Sequence, residues 1–80
     1  MDKQILRKIK KILNGNDFSI DPSLVTYDKF IREFSGWDSL KHLTFFIQIE
    51  MHFHVDISPK DFPRILTIKD LIKFIKTCGN

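Results

Sequence analysis

Residues 36–54 read GWDSLKHLTFFIQIEMHFH, and this stretch decides the fold. After Asp38-Ser39 it contains neither glycine nor proline as far as His54. Because these two residue types interrupt helices most strongly, their absence predicts a long central helix over these residues. Asp and Ser are also the residue types preferred at the N-cap of a helix, so the start of this helix is marked as well.

Two further segments show apolar residues at helical spacing. Residues 2–14 alternate isoleucines and leucines with lysines and one arginine, which predicts an amphipathic first helix. We expect Asp2 to be its N-cap and Gly15 to end it, since glycine enters the left-handed conformation without a side-chain penalty. Thr67 and Asp70 resemble a capping box, with Asp in place of the usual Glu or Gln, and predict the start of a last helix.

The remaining sequence consists of turn residues interrupted by apolar side chains. Residues 16–38 predict a long loop pinned by hydrophobic residues, divided by a short helical turn around residues 28–34. Residues 60–64 can form only a short turn because of Pro63. No alternating pattern long enough for a strand is present. The sequence therefore predicts an all-α fold: a small four-helix bundle of three main helices and one short helix, with a long loop between helices one and two.

Composition limits the function classes. Eighty residues, 42% of them hydrophobic and 29% charged, predict a single soluble domain spanning residues 1–80 and exclude most multi-domain enzymes. The single cysteine, Cys78, excludes an intramolecular disulfide and favours a reducing compartment, so we expect a cytoplasmic location. No apolar run approaches the roughly 20 residues that span a bilayer. The net charge of +3 permits an anionic partner without requiring one.

Ser39 is the strongest candidate for a residue with a chemical role. The first turn of a helix has unpaired backbone N–H groups and a partial positive charge, so a phosphate on or beside Ser39 would be electrostatically favoured. The alternative is that Asp38 or Ser39 is simply the N-cap of the helix. The residue types at this point of the chain leave both interpretations open.

The chain resembles the acyl carrier and peptidyl carrier family over nearly all of its 80 residues. The residues that carry this resemblance are Gly36-Trp37-Asp38-Ser39-Leu40, Leu43, Phe46, Ile49, Glu50, Phe53 and Val55-Asp56-Ile57-Ser58. The resemblance implies a non-enzymatic carrier with 4′-phosphopantetheine attached covalently to Ser39 by a phosphopantetheinyl transferase. Acyl or aminoacyl groups would be carried as thioesters, with Asp38 capping the helix or contacting the metal ion of the transferase.

The resemblance also implies partners and a docking surface. The expected partners are the transferase, an acyl- or aminoacyl-loading ligase and a downstream acyltransferase or synthase, all meeting a monomer. A helical wheel separates an apolar stripe of Leu40, Leu43, Ile47 and Met51 from one of Phe45, Phe46, Ile49 and Phe53. We expect the Phe stripe in the core and the first stripe partly exposed, although both could be buried. The expected partner-binding residues are Trp37, Leu40, Lys41, Leu43, Ile47 and Met51, while Trp37 is favoured slightly as an anchor on the core.

One departure from the family concerns charge. Fatty-acid carriers are strongly acidic along the second helix, whereas this chain has only Glu50 between Ser39 and His54. Lys41 occupies one of the polar positions instead. Because charge complementarity sets the choice of partner, we expect a specialised biosynthetic pathway rather than general fatty-acid synthesis.

Alternative functions give weaker explanations of the same residues. A small basic helical module that binds nucleic acid or protein would leave Ser39 as a cap only; we expect no nucleic-acid binding. A hydrolase using Ser39 and His42 lacks an orienting acid, and surface or satisfied histidine is the more usual role for His42. His52 and His54 are two residues apart and point in different directions on a helix, so we expect no metal site.

Overall fold

Three α-helices dominate the fold in a computed structural model, which describes residues 2–78. They are α1 (Asp2–Leu13), α2 (Ser39–Phe53) and α3 (Ile68–Cys78). A six-residue 3₁₀ helix, Pro59–Arg64, contains Pro63 and is the expected short fourth helix. The all-α fold with three main helices and one short one is thus confirmed. None of the helices in the described part of the chain is long and apolar enough to cross a bilayer.

The long loop between α1 and α2 is divided into short pieces. Two three-residue 3₁₀ helices, Pro22–Leu24 and Ile31–Glu33, interrupt it, and the second lies in the expected region. Most of its apolar side chains turn inward, as expected of hydrophobic anchors, but Leu24 and Phe30 are exposed. The buried members are Phe18, Ile20, Val25, Ile31 and Phe34. Each of them removes apolar surface from water, which offsets the entropy of ordering so long a connection.

The core is formed where the three helices turn their apolar faces toward one another. Helix α2 crosses its centre with two almost fully buried phenylalanines, Phe45 and Phe46. Helices α1 and α3 contribute mainly isoleucine and leucine. The other buried apolar residues of the three helices are Ile9, Ile12, Leu13, Ile49, Ile68, Leu71, Ile72 and Ile75. The position of Phe45 and Phe46 orients α2, because burying that face turns the opposite face outward.

Backbone pairing attaches the second half of the loop to the segment before α3. Phe30 and Thr67 form an isolated antiparallel β-bridge. Beside it, the Ile31 N–H donates to the Leu66 carbonyl oxygen at 2.9 Å. No strand forms within residues 2–78, in agreement with the sequence, but the bridge was not predicted. The bridge holds the loop that precedes α2 against the segment that precedes α3.

Helix α1 ends just before Gly15 as predicted, but the cap role of Asp2 and the left-handed conformation of Gly15 need correction. Asp2 is not the N-cap, because the helical backbone already includes it; its carboxylate instead pairs with the Lys76 ammonium at 2.9 Å. The helix stops two residues before Gly15, but Gly15 is not in the left-handed region. Its N–H donates to the Ile12 carbonyl oxygen at 3.1 Å, three residues earlier. The last turn therefore closes with a hydrogen bond of the 3₁₀ type and needs no left-handed residue.

The capping box predicted for α3 is confirmed. The Asp70 N–H donates to the Thr67 hydroxyl, and the Thr67 N–H donates to the Asp70 carboxylate, both at 3.1 Å. Helix α2 ends differently, on His54 in the left-handed conformation at φ 56°. Its N–H donates to the Glu50 carbonyl oxygen. Left-handed histidine is uncommon, and no sequence signal marked this end.

Candidate functional site

Ser39 is the first residue of α2, and it is exposed. The preceding Asp38 has extended backbone, and its Oδ1 accepts a hydrogen bond from the Lys41 N–H at 2.8 Å, so Asp38 is the N-cap. The helix itself offers no acceptor to the N–H groups of Ser39 and Leu40. The Ser39 hydroxyl therefore lies in solvent at a helix end with partial positive charge.

Asp38 holds the first turn of α2 by this hydrogen bond. We expect Asp38→Ala to lower the free energy of unfolding by about 1 kcal/mol, the usual cost of removing an N-cap. Asp38→Asn should retain the wild-type value, because Asn caps as well as Asp does. Urea unfolding followed by circular dichroism measures both. Equal losses in the two variants would show that the carboxylate charge, and not the cap, stabilises the helix.

A tight turn at Gly36 lies next to the Lys41 ammonium, in the segment that leads to Ser39. Gly36 has φ +73°, a backbone conformation that other residue types rarely adopt. A Cβ placed on Gly36 would lie 3.7 Å from the Lys41 Nζ, so the ammonium reaches back over this turn. The start of α2 thus combines an exposed hydroxyl, free backbone N–H groups and a nearby ammonium. This donor set suits a phosphate diester on Ser39.

Trp37 fixes the loop on the core directly before Ser39. Its half-buried ring stacks on Phe18 at 5.4 Å between ring centroids and meets the edge of Phe45 at 5.7 Å. Its indole Nε1 donates a hydrogen bond to the His42 Nδ1 at 3.1 Å. These are the contacts of an anchor, the interpretation favoured for Trp37. The Trp37–His42 hydrogen bond spans the start of the helix. Ser39 lies in the short segment between the two bonded residues.

His42 is a buried core residue. Because its Nδ1 accepts from Trp37, its neutral ring carries the proton on Nε2, for which no partner is found in the described part of the chain. The ring packs on Phe46 at 4.6 Å and on Phe62 at 5.9 Å. Burial, and secondarily the charge of Arg32, lowers the pKa of His42 below 6.5. With Nδ1 occupied by an indole, His42 lacks the carboxylate partner that a hydrolytic triad requires.

This lowered pKa makes stability depend on pH. The unfolded chain binds the His42 proton more readily than the folded chain, so stability is full above about pH 6.5 and is lost as pH falls toward the folded pKa. We expect the Tm to decrease between pH 7.5 and 5.5 by circular dichroism. His42→Gln, whose amide oxygen can still accept from Trp37, should remove most of this decrease. His52→Gln, at an exposed position, should leave it unchanged. The same decrease in His42→Gln would assign it to other groups.

The two apolar stripes of α2 differ in exposure as expected. Phe45, Phe46 and Ile49 are buried and Phe53 is half-buried, whereas the first stripe remains in contact with solvent. The alternative in which both stripes are buried is therefore wrong. The exposed fractions are 72% for Leu40, 48% for Leu43, 45% for Ile47 and 70% for Met51. Four large apolar side chains on one face next to Ser39 form an unpartnered surface, which we call the α2 stripe.

The remaining chemically active residue types do not assemble. His52, His54 and Cys78 are all exposed. Within residues 2–78 no three His, Cys, Asp or Glu side chains are grouped so as to hold a metal ion. Sequence reasoning missed two features of the site, the Trp37–His42 hydrogen bond and the return of Lys41 over Gly36. Both depend on the path of the loop, and no sequence signal identifies that path.

No family model matches the chain, but comparison with curated proteins is decisive. A protein named acyl carrier protein from Phytoplasma australiense is 32% identical over 72 residues, which are 90% of this chain and 93% of that protein. The chain belongs to the acyl carrier protein family. The acyl carrier protein of Onion yellows phytoplasma (strain OY-M) is 30% identical over 89% of this chain and 92% of its own length.

The likeness extends beyond the phytoplasmas. The acyl carrier protein of Thermosynechococcus vestitus is 29% identical over 90% of this chain and 88% of its own length. The relatives are thus matched over most of their length. Acyl carrier proteins are carriers rather than enzymes, and the family in general uses a phosphopantetheine group.

Proposed function

We propose that this chain carries acyl or aminoacyl groups as thioesters on a 4′-phosphopantetheine arm attached to Ser39. The observation that supports this most strongly is the exposed Ser39 hydroxyl at the first turn of α2, within a chain of the acyl carrier protein family. The free N–H groups of the first turn and the nearby Lys41 ammonium suit the phosphate of such an arm. When bound, the arm supplies the thiol that forms the thioester.

The surroundings of Ser39 favour its modification by a separate enzyme. In the proposed step the Ser39 Oγ attacks the pyrophosphate of coenzyme A, and a new P–O bond forms. The bond between the two phosphates breaks, the adenosine-bearing phosphate leaves, and the hydroxyl proton passes to the transferase. The chain's part is positioning: Asp38 fixes the helix start, and Trp37 anchors the preceding loop on Phe18. The Asp38 Oδ1 caps the helix, which leaves its Oδ2 for the metal ion of the transferase.

The charge of α2 supports a specialised pathway. Glu50, the only carboxylate between Ser39 and His54, accepts a hydrogen bond from the Ile57 N–H at 2.7 Å and so is used within the fold. Helix α2 therefore offers no row of carboxylates to basic enzymes of general fatty-acid synthesis. The proposed partners are the transferase, a dedicated acyl- or aminoacyl-loading ligase, and a downstream acyltransferase or synthase. The proposal also places the chain in the cytoplasm as a monomer.

Intact-mass spectrometry tests the modification directly. The chain is incubated with coenzyme A, Mg²⁺ and a phosphopantetheinyl transferase of broad specificity. We expect the mass to rise by one phosphopantetheine group in nearly all molecules. An acyl carrier protein known to be a substrate serves as the control for transferase activity. Complete modification of that control beside an unchanged mass for this chain would overturn the proposal.

The basic face of α1 supports a second candidate, a small module that binds nucleic acid or protein. Lys3, Arg7, Lys8 and Lys11 are exposed there, and Asp2, the only acidic residue of the helix, is paired with Lys76. Such a face is more often simply solvated. A salt-dependent mobility shift with RNA or DNA, together with no modification of Ser39, would favour this function over the carrier.

A further inference from the structure

The α2 stripe is an exposed apolar surface, and the charged residues beside it indicate what kind of partner would bind there. It presents Leu40, Leu43, Ile47 and Met51 in a row, each at least 45% exposed. Large apolar side chains grouped on one face, unlike scattered ones, are typical of interaction surfaces. The apolar row alone does not discriminate between occupants, so the charges at its edges decide.

The carboxylates on and beside α2 are used inside the molecule. Asp38 accepts from the Lys41 N–H at 2.8 Å as the N-cap. Glu50 accepts from a backbone N–H, and Asp17 accepts from the Gln48 Nε2 at 2.7 Å. Each of these oxygens already has a hydrogen-bond partner, and moving it would expose an unpaired group. These hydrogen bonds hold the three carboxylates in place, whereas no such bond holds the Lys41 ammonium within residues 2–78.

An unpaired cation lies near the Ser39 end. The Lys41 ammonium lies over Gly36. Across residues 2–78 the only ion pair joins Lys76 and Asp2, so Lys41 has no carboxylate partner there. The positive end of the α2 dipole adds to it. The surface is thus apolar along its length, with an ammonium beside Ser39.

We propose that the partner which docks on the α2 stripe is a protein with an apolar groove whose rim, where it meets Lys41, carries carboxylates. The inference rests on the proposed carrier function and specifies its partner. A basic rim would place cations against Lys41, and like charges across an interface oppose binding. A nucleic acid would find no phosphate-binding group along the apolar row. A second copy of the chain would bring the like charges of two Lys41 side chains to the interface.

Two synthetic helical peptides test this chemistry. Both carry the same leucine stripe, flanked in one by glutamates and in the other by lysines, and each is titrated into the unmodified ¹⁵N-labelled chain at low salt. We expect the glutamate peptide to shift the amides of the α2 stripe and to bind at least about threefold more tightly, the order that one or two exposed ion pairs provide. High salt should reduce this preference.

Matched variants tie the preference to one side chain. Lys41→Glu should remove or reverse it, and this variant should fold normally because acidic residues are favoured in the first turn of a helix. Lys73→Glu, the same change of charge on the exposed side of α3, should leave it intact. Loss of the preference in Lys73→Glu alone would assign it to the overall charge and overturn the proposal.

Three results would contradict the inference. One is equal or tighter binding of the lysine peptide, and another is a set of shifts confined to α1. The third is a concentration-dependent shift of the α2 amides without peptide, which would show that a second copy covers the stripe. Because the unmodified chain is used, this experiment does not depend on Ser39. A chain that is modified but prefers the lysine peptide retains the carrier function and loses only the inferred partner.

Discussion

Ser39→Ala is expected to abolish the incorporation of phosphopantetheine while leaving the fold unchanged. The alanine has no hydroxyl oxygen to form the phosphate bond, so the effect should be complete rather than partial. Ser39 is exposed and Asp38 provides the cap, so little structure depends on the Ser39 side chain. Intact-mass spectrometry after treatment with coenzyme A and transferase measures modification, and circular dichroism measures helix content.

The control for this substitution lies four residues earlier. Ser35 is also exposed, but it lies in the loop and outside the first turn of α2. Ser35→Ala should be modified as completely as the wild type. A mass increase that persists in Ser39→Ala would move the attachment site to another residue and remove the role proposed for the helix start.

Phe45→Ala is expected to have the largest effect on stability, about 3–5 kcal/mol. The side chain is fully buried, and its ring contacts Phe18 at 5.8 Å and Trp37 at 5.7 Å between centroids. Its removal leaves a cavity between α2 and the loop and takes away the surface on which Trp37 rests. Because small domains are stable by only about 5–15 kcal/mol, much of the folded population could be lost.

Urea unfolding measures this loss, with Leu43→Ala as the control. Leu43 lies on the same helix but is 48% exposed, so its truncation should cost much less than that of Phe45. Trp37 fluorescence should shift to longer wavelength in Phe45→Ala before urea is added, as the indole becomes more hydrated. Similar losses in the two variants would mean that the two faces of α2 are not divided into core and surface as described.

The helices could be predicted from sequence because their determinants are local. The uninterrupted run after Ser39 and the Thr67–Asp70 capping box both act within a few residues, and the structure has helices there. The cap role of Asp2 and the left-handed conformation of Gly15 were predicted wrongly, because a helix end can be closed in several ways and packing decides which one occurs. The left-handed His54 and the β-bridge at Phe30 depend on contacts between distant segments, which a single sequence does not display.

Some features of the candidate site could likewise be predicted from the sequence, and others could not. Ser39 and Asp38 were identifiable because an N-cap position follows from residue type and a helix start. The α2 stripe followed from helical periodicity. The hydrogen bond between Trp37 and His42 needed the indole to fold back across the helix start, and the reach of Lys41 needed the positive φ of Gly36. These contacts determine the polarity of the site, and they became apparent only in three dimensions.

The bridge between Phe30 and Thr67 has a consequence for synthesis of the chain. The backbone groups that hold the second half of the loop, among them the Leu66 carbonyl, are translated more than thirty residues after it. While they are still inside the ribosome, the loop leading to Ser39 lacks these partners. These hydrogen bonds can form only once the start of α3 has emerged. The timing of translation thus separates the appearance of Ser39 from the completion of its surroundings.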